Sequence, residues 1–307
     1  MPKSSSSMSF EKGISLIIPY RNHLSFLEET LSSVFEQKRL PDEIILVDDC
    51  SEDHPEALIT KFREKSSVPV IYKRFGMHRG VSAARNEGIK TARFSHVAFL
   101  DADDCWSPWH LYEFERALRK LGRVDYYSSA SRIFYGSCPG KLSNASGFVS
   151  TSYLKLAMRN ALNVNASSVI FSKPLMEKTG FFDEKLPVFE DIDYWMRAGN
   201  FSEVIFNRRT NVFIRRSQPD SLSKRLEYYD NPYLKDKFTD YLSDTNDERI
   251  KKFLHLNIYG TIMRFKKEGK KAPAFWEKTL DESFLDVKHR IFLRLPSGWV
   301  RILTRWK

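Results

Sequence analysis

The run Val97-Ala98-Phe99-Leu100-Asp101-Ala102-Asp103-Asp104 decides how this chain is read. Its first four residues form a short apolar run, which reads as a buried parallel strand. The acids that follow then stand at the carboxyl end of that strand, where open α/β sheets bind their ligands. Hard oxygen ligands at such a point suit Mg2+ or Mn2+ bridging the phosphates of a nucleotide. The same acids would also cap a helix starting near Pro108, so the tetrad taken alone leaves both readings open.

The segments before it supply the context. Ile14 to Ile18 reads as a buried strand ended by Pro19, and Leu24 to Phe35 has apolar residues at helical spacing (Leu24, Leu27, Leu31, Val34). Glu43 to Val47 is a second strand leading into Asp48-Asp49, and Pro55 to Glu64 a second helix capped from Ser51-Glu52-Asp53. Val68 to Tyr72 is a third strand and Gly80 to Thr91 a third helix. Strands alternating with helices predict a doubly wound, mostly parallel sheet. After Pro108 the order becomes mixed: a helix to Lys120, strands at 124–127, 131–135, 167–171 and 212–215, and a helix from Asp191 to Ala198. From Tyr228 the pattern is helical. The expected organisation is a disordered leader over 1–12, a catalytic domain over 13–225 with halves 13–108 and 109–225, and a basic helical extension over 226–307.

The chain has 307 residues, 42% of them hydrophobic, enough for a substantial core. Its net charge of +10 is partly local: after Asp286 come Lys288, Arg290, Arg294, Arg301, Arg305 and Lys307 without an acid. No nucleic-acid signature accompanies them, and bases interleaved with Ile291, Phe292, Trp299 and Trp306 suit an anionic membrane surface at least as well. Cys50, Cys105 and Cys138 lack metal-ligand spacing and read as reduced thiols. With no signal-peptide core and no spanning run, the expected location is the cytoplasm, peripheral on the inner face of the cell membrane.

Three segments, Ser15-Leu-Ile-Ile-Pro-Tyr-Arg-Asn22, Ile45-Leu-Val-Asp-Asp-Cys-Ser51 and Phe99-Leu-Asp-Ala-Asp-Asp104, each end a predicted parallel strand. Together they resemble the inverting glycosyltransferases of family 2, which have the GT-A fold. Gly80-Val-Ser-Ala-Ala-Arg-Asn-Glu-Gly88 looks like the family segment before the metal motif, and Gly180-Phe-Phe-Asp183 with Glu190, Asp191 and Trp195 like its acceptor-side motif. The resemblance implies a metal-dependent enzyme that takes a nucleotide-sugar donor, a UDP-sugar, and passes the sugar to a glycan or lipid-linked acceptor in cell-surface polysaccharide synthesis. It implies that Asp103 coordinates Mn2+ or Mg2+, with Asp101 near the metal, ribose or sugar, Ala102 between them in the donor site and Asp104 in support. Asp191 becomes the general base, and Glu190 a contact to acceptor or sugar. The plain alternative for this pair is N-terminal placement on the helix leading to Trp195.

Asp49 is implied as the partner of a uracil-type base, with Asp48 structural. Pro19, Tyr20 and Arg21 line the first strand's exit, where Tyr20 would stack on the base. Arg79 and Arg85 are candidates for the diphosphate, each equally readable as an ordinary ion pair. His23, His54, His78 and His96 show no paired spacing and read as solvated or locally bonded. Arg216, Ser221 and Ser223 lie where relatives close a flap over the diphosphate, but the histidine of that segment is missing here. Three rival classes stand against this one. A dinucleotide oxidoreductase would need Gly-x-Gly-x-x-Gly where this chain has Pro19-Tyr20-Arg21-Asn22. A nucleotidyltransferase would need a Gly-rich basic loop there. An inactive nucleotide-sugar-binding scaffold is opposed by the intact acids.

Overall fold

The computed structural model describes residues 10–22, 24–65, 67–139, 145, 147–159, 164–216 and 225–300. Two compact units share the chain: Met1–Glu184 with Glu190–Ser217, and Lys185–Phe189 with Gln218–Lys307.

In the first unit, β1 (Glu11–Tyr20), α1 (Leu24–Phe35), β2 (Glu43–Asp48), α2 (Glu56–Lys65), β3 (Val70–Arg74), α3 (Val81–Thr91) and β4 (Phe94–Phe99) alternate as expected. There follow β5 (Cys105–Trp106), α4 (His110–Leu121), β6 (Tyr126–Phe134), β7 (Phe148–Thr151), α5 (Tyr153–Arg159), β8 (Val169–Ser172), α6 (Lys173–Thr179), α7 (Glu190–Gly199) and β9 (Val204–Arg215). One sheet runs in the order β3-β2-β1-β4-β8-β6-β9-β5, with β7 paired to β9. The β3-β2-β1-β4 ladders are parallel, whereas β8 is antiparallel to both β4 and β6. Residues of β1 and β2 are fully buried from Ile14 and Glu43 onward, because helices cover both faces of a parallel sheet.

Several boundaries differ from expectation. The first strand begins at Glu11, inside the stretch assigned to the leader, and does not stop at Pro19, which pairs with Val47 as Tyr20 pairs with Asp48. The reason is the side on which the donor is missing. Tyr20 uses its carbonyl toward β2, accepting from the Asp49 amide at 2.9 Å, while Ile17 accepts from Leu100 on the β4 side. Pro19 therefore faces β4 beyond the last paired residues, Ile17 and Phe99, where no ladder bond is lost. The expected strands at 124–127 and 131–135 are one strand, β6, carrying register irregularities against β9 near Ser129 to Ser131. The strand expected at 212–215 begins at Val204, and β5, β7, α5 and α6 were not anticipated.

The second unit is helical; it takes in Lys185–Phe189 and starts before residue 226, where the sequence places the extension. It comprises α8 (Pro232–Asp244), α9 (Glu248–Lys267), α10 (Ala274–Thr279) and α11 (Val287–Arg294). Asn231, Asp247 and Asp286 accept backbone N–H groups at the starts of α8, α9 and α11. Its core holds Trp276, whose indole donates to the Tyr229 carbonyl at 2.7 Å and packs edge-on to Phe238 at 5.1 Å. The Phe189 ring lies 5.6 Å from Tyr229 and 5.4 Å from Phe238. Among the described residues, no helix is long and apolar enough to cross a membrane.

Candidate active site

The four parallel strands end together at Tyr20, Asp48, Arg74 and Phe99, and the predicted acids emerge at this edge. After β4 the chain turns sharply, with the Asp104 amide donating to the Asp101 carbonyl at 3.0 Å, and enters β5, which pairs with β9. Helix α1 fixes the turn from below: Thr30 Oγ1 lies 2.9 Å from the carbonyls of both Ala102 and Asp104. Asp104 points inward, accepting from Ser167 Oγ at 2.6 Å and from the Arg215 amide at 2.9 Å. Burial, then the charges of Asp103 and Asp101, hold its carboxyl well above the usual range. Asp101 and Asp103 remain for a ligand. Asp101 is 35% exposed. Asp103 is pushed up to about 6 by burial and by Asp101, with Arg215 and Arg216 opposing.

Arg85 joins this turn to the acceptor side. It lies on α3, which comes close to β1 because Gly88 sits where a Cβ would stand 2.4 Å from the Ile17 side chain. The guanidinium, 4% exposed, bonds Asp101 at 3.0 Å and Glu190 at 2.8 Å. Burial works against its charge, but Asp101, Glu190 and Asp191 together outweigh burial and raise its pKa. Both terminal nitrogens are thus engaged by carboxylates, the ion-pair alternative for this residue. Asn86, one position on, donates to the Phe182 carbonyl and to Glu184, each at 2.9 Å, and accepts from the Phe182 amide. In this way α3 holds the Gly180–Asp183 motif, whose Phe182 stacks on Tyr194 of α7 at 4.1 Å.

Glu190 and Asp191 open α7 directly after Phe189, a non-glycine residue with φ 65°. Asn22 and Cys50, beside Arg21 and Asp49, are also left-handed. Such backbone strain, costing on the order of 1–3 kcal/mol per residue, is typical of functional turns. Glu190 is pushed up to about 7 by burial and by Asp191, against Arg85. Asp191 is raised as well, first by burial, with Arg85 opposing. It also accepts the Ile192 amide at 2.7 Å, so the helix-start role is present.

At the β2 end, Asp48 is fully buried and bonds the Ser51 amide at 2.8 Å and Tyr72 Oη at 2.7 Å, a structural role. Asp49 accepts the Arg79 and Gly80 amides at 2.6 and 2.8 Å, and His78 Nδ1 lies 2.6 Å from it. His78 is therefore part of the candidate base site, twenty-nine positions from its partner. The reading of that histidine as a solvated or locally bonded group missed this, since periodicity carries no trace of a contact between two loops. Arg79 lies over Phe75 at 4.6 Å and pairs with Glu184 at 3.3 Å. Tyr20, expected to stack on the base, has its ring buried in the core and its hydroxyl donating to Asp53 at 2.6 Å. Pro19 is likewise buried, and Arg21 keeps a buried Nε without a partner among the described residues.

Arg215 is a hub that the sequence did not single out. It bonds the Asp103 carbonyl at 2.8 Å and Glu29, and lies between Phe26 and Phe134 at 4.5 Å from each. Arg216 is exposed, and its charge lowers the Asp103 pKa. Ser221 and Ser223 lie outside the described residues, as does His23. No cluster of three or more metal-ligating side chains occurs among the described residues. Asp101 and Asp103 nonetheless fit a divalent cation: two oxygen donors, Asp103 with its proton affinity raised by burial and then by the Asp101 charge, at a point where phosphate and water oxygens would complete the shell.

Residues 15–178 match the family model for glycosyl transferase family 2. An uncharacterized glycosyltransferase of Rickettsia prowazekii is 25% identical over 225 residues, covering 71% of this chain and 69% of that one. Poly-beta-1,6-N-acetyl-D-glucosamine synthase of Staphylococcus aureus is 34% identical over 116 residues, 37% of this chain and 28% of that one. Among solved structures, a fragment of S. aureus TarS in complex with UDP-GlcNAc superimposes with a TM-score of 0.64 at 18% identity, covering 90% of this chain and 77% of that one. The mannosyltransferase PcManGT from Pyrobaculum calidifontis, in complex with GDP-Man and Mn2+, gives 0.59 at 16% identity over 97% and 88% of the two chains. At these identities the structural likeness is one of fold. The family match extends past the strand-end motifs and across more than half the chain, and with it the protein belongs to glycosyl transferase family 2, a glycosyltransferase of the GT-A type.

Proposed function

We propose that this protein transfers a sugar, with inversion, from a UDP-sugar to a hydroxyl of a glycan or lipid-linked acceptor, in the synthesis of a cell-surface polysaccharide at the inner face of the membrane. The observation that carries the reading is the Arg85 bridge, which brings Asp101 of the strand-end turn and Glu190 of α7 onto one guanidinium. Acids for the leaving diphosphate and acids for the attacking hydroxyl thereby face one another across a fixed ion pair. The neighbours' nucleotide-sugar ligands support the donor class, and the Mn2+ complex supports a divalent cation held by Asp103 and Asp101.

Asp191 takes the acceptor's proton while the acceptor oxygen bonds to the anomeric carbon, and the electron pair of the breaking bond leaves with the diphosphate. Burial suits Asp191 to this, since a raised pKa makes a carboxylate a stronger base. Glu190, held by Arg85, orients the acceptor or the sugar. Asp49, fixed by the Arg79 and Gly80 amides, accepts from the base. A bound divalent cation would supply positive charge against the phosphate oxygens. Arg216 faces the same phosphates from the end of β9. The testing experiment is release of UDP from a panel of nucleotide sugars with Mn2+. Turnover of one UDP-sugar is expected, and its absence for every donor would leave the nucleotide-sugar-binding scaffold.

A further inference from the structure

The helical unit contains a cavity of about 540 Å3 among the end of α9, the loop that follows it, α10 and α11. Lys266, Lys270, Lys271 and Arg294 line it, against Glu277 and Glu282, and Glu282 is already paired with Arg294 at 2.8 Å. Lys266 donates to the Leu293 carbonyl across the cavity, and burial lowers its pKa. A desolvated ammonium of this kind is stabilised by an anion. Ile262, Leu280 and Leu293 add an apolar wall.

The helix that closes the cavity also presents large apolar side chains to water. Val287 is 72% and Ile291 55% exposed, one turn apart on the same face of α11, and Trp299 beyond it is 58% exposed. Lys288 stands beside them, and every charged side chain of the sequence after Asp286 is basic. A face for a protein partner needs the apolar residues but not charge of one sign. A bilayer with anionic headgroups explains both.

We propose that this unit docks on an anionic phospholipid bilayer, Val287, Ile291 and Trp299 entering the headgroup boundary while Lys266, Lys270 and Lys271 seat a headgroup phosphate in the cavity. The inference extends the lipid-linked acceptor reading, and its test does not use catalysis, so either can fail alone. Full-length protein is sedimented with phosphatidylcholine vesicles with and without phosphatidylglycerol. Binding is expected only with phosphatidylglycerol and should fall with salt. The exposed pair Lys270→Ala/Lys271→Ala should weaken it about thirtyfold at an unchanged melting temperature, about fivefold for each basic residue near such a surface. Ile291→Glu should weaken it independently. Soluble glycerol 1-phosphate should compete with the wild type and not with the lysine pair variant. Equal recovery on both vesicle types, or a lysine pair variant that binds as well as the wild type, overturns the proposal. Direct binding of glycerol 1-phosphate in calorimetry without any vesicle binding assigns the cavity to a free phosphate ester and likewise overturns it.

Discussion

The two halves of the catalytic unit reach the same site by different means. In β3-β2-β1-β4, functional groups sit at strand ends, and their positions follow from a parallel ladder that stops in register: Tyr20 with Asp48, Asp48 with Arg74. In the half built on β8, β6 and β9, the acids come from the start of a helix, placed by the left-handed Phe189 and held by a guanidinium borrowed from α3. The first half takes its positions from strands that stop in register, with long-range bonds from His78 to Asp49 and from Thr30 and Arg215 to the acidic turn holding them there. The second depends on a long-range bond, and Arg85 is its hinge to the first.

The strongest test of this division is removal of the cation or of its ligand. Asp103→Ala, or chelation of the wild type, should lower transfer by about 10³-fold or more while the melting temperature holds. Wild-type turnover by the variant in chelator would remove Asp103 from the donor half's chemistry. On the other side, Asp191→Asn should lower kcat by ~10²- to 10⁴-fold and leave UDP affinity intact in calorimetry. A variant that loses UDP affinity but turns over normally at saturating donor would move Asp191 out of the base role.

The link itself is tested by Arg85→Gln, which strands Glu190 and part of Asp101 without a counter-charge. Denaturant unfolding should show a loss of about 3 kcal/mol, toward the lower end for a buried pair because Asp101 is partly solvated. The double variant Arg85→Gln/Glu190→Gln should recover a portion of it. Equal stability of the single variant and wild type would mean that the two halves stand without the bridge.

The smallest effect concerns His110, at the start of α4, which packs on Trp106 at 4.4 Å and is fully buried, its Nε2 without a partner among the described residues. Burial lowers its pKa from 6.5 to about 3. Between those values the unfolded chain binds one more proton than the folded one, so stability is fully present above pH 6.5 and falls as the pH drops. The slope should be at most about 1.4 kcal/mol per pH unit from this group. His110→Gln should flatten the curve by that amount, and an unchanged slope would show that the imidazole is solvated.

The amino-acid sequence by itself determined the βα order, the acidic turn after Val97–Leu100 and the general position of Glu190-Asp191. Apolar runs and helical periodicity are local signals, and motifs at strand ends keep their place in the chain. Local signals also account for the helical C-terminal unit. What only the tertiary structure decided were contacts between positions far apart in the chain: His78 on Asp49, Arg85 between Asp101 and Glu190, Arg215 beneath Asp103, and Tyr20 turned into the core toward Asp53. Short pieces such as β5 and β7 were equally silent, since two to four residues hold no period and form only when β9 is beside them. A residue's type tells what it can bond to, and the fold alone tells which partner comes within about 3 Å.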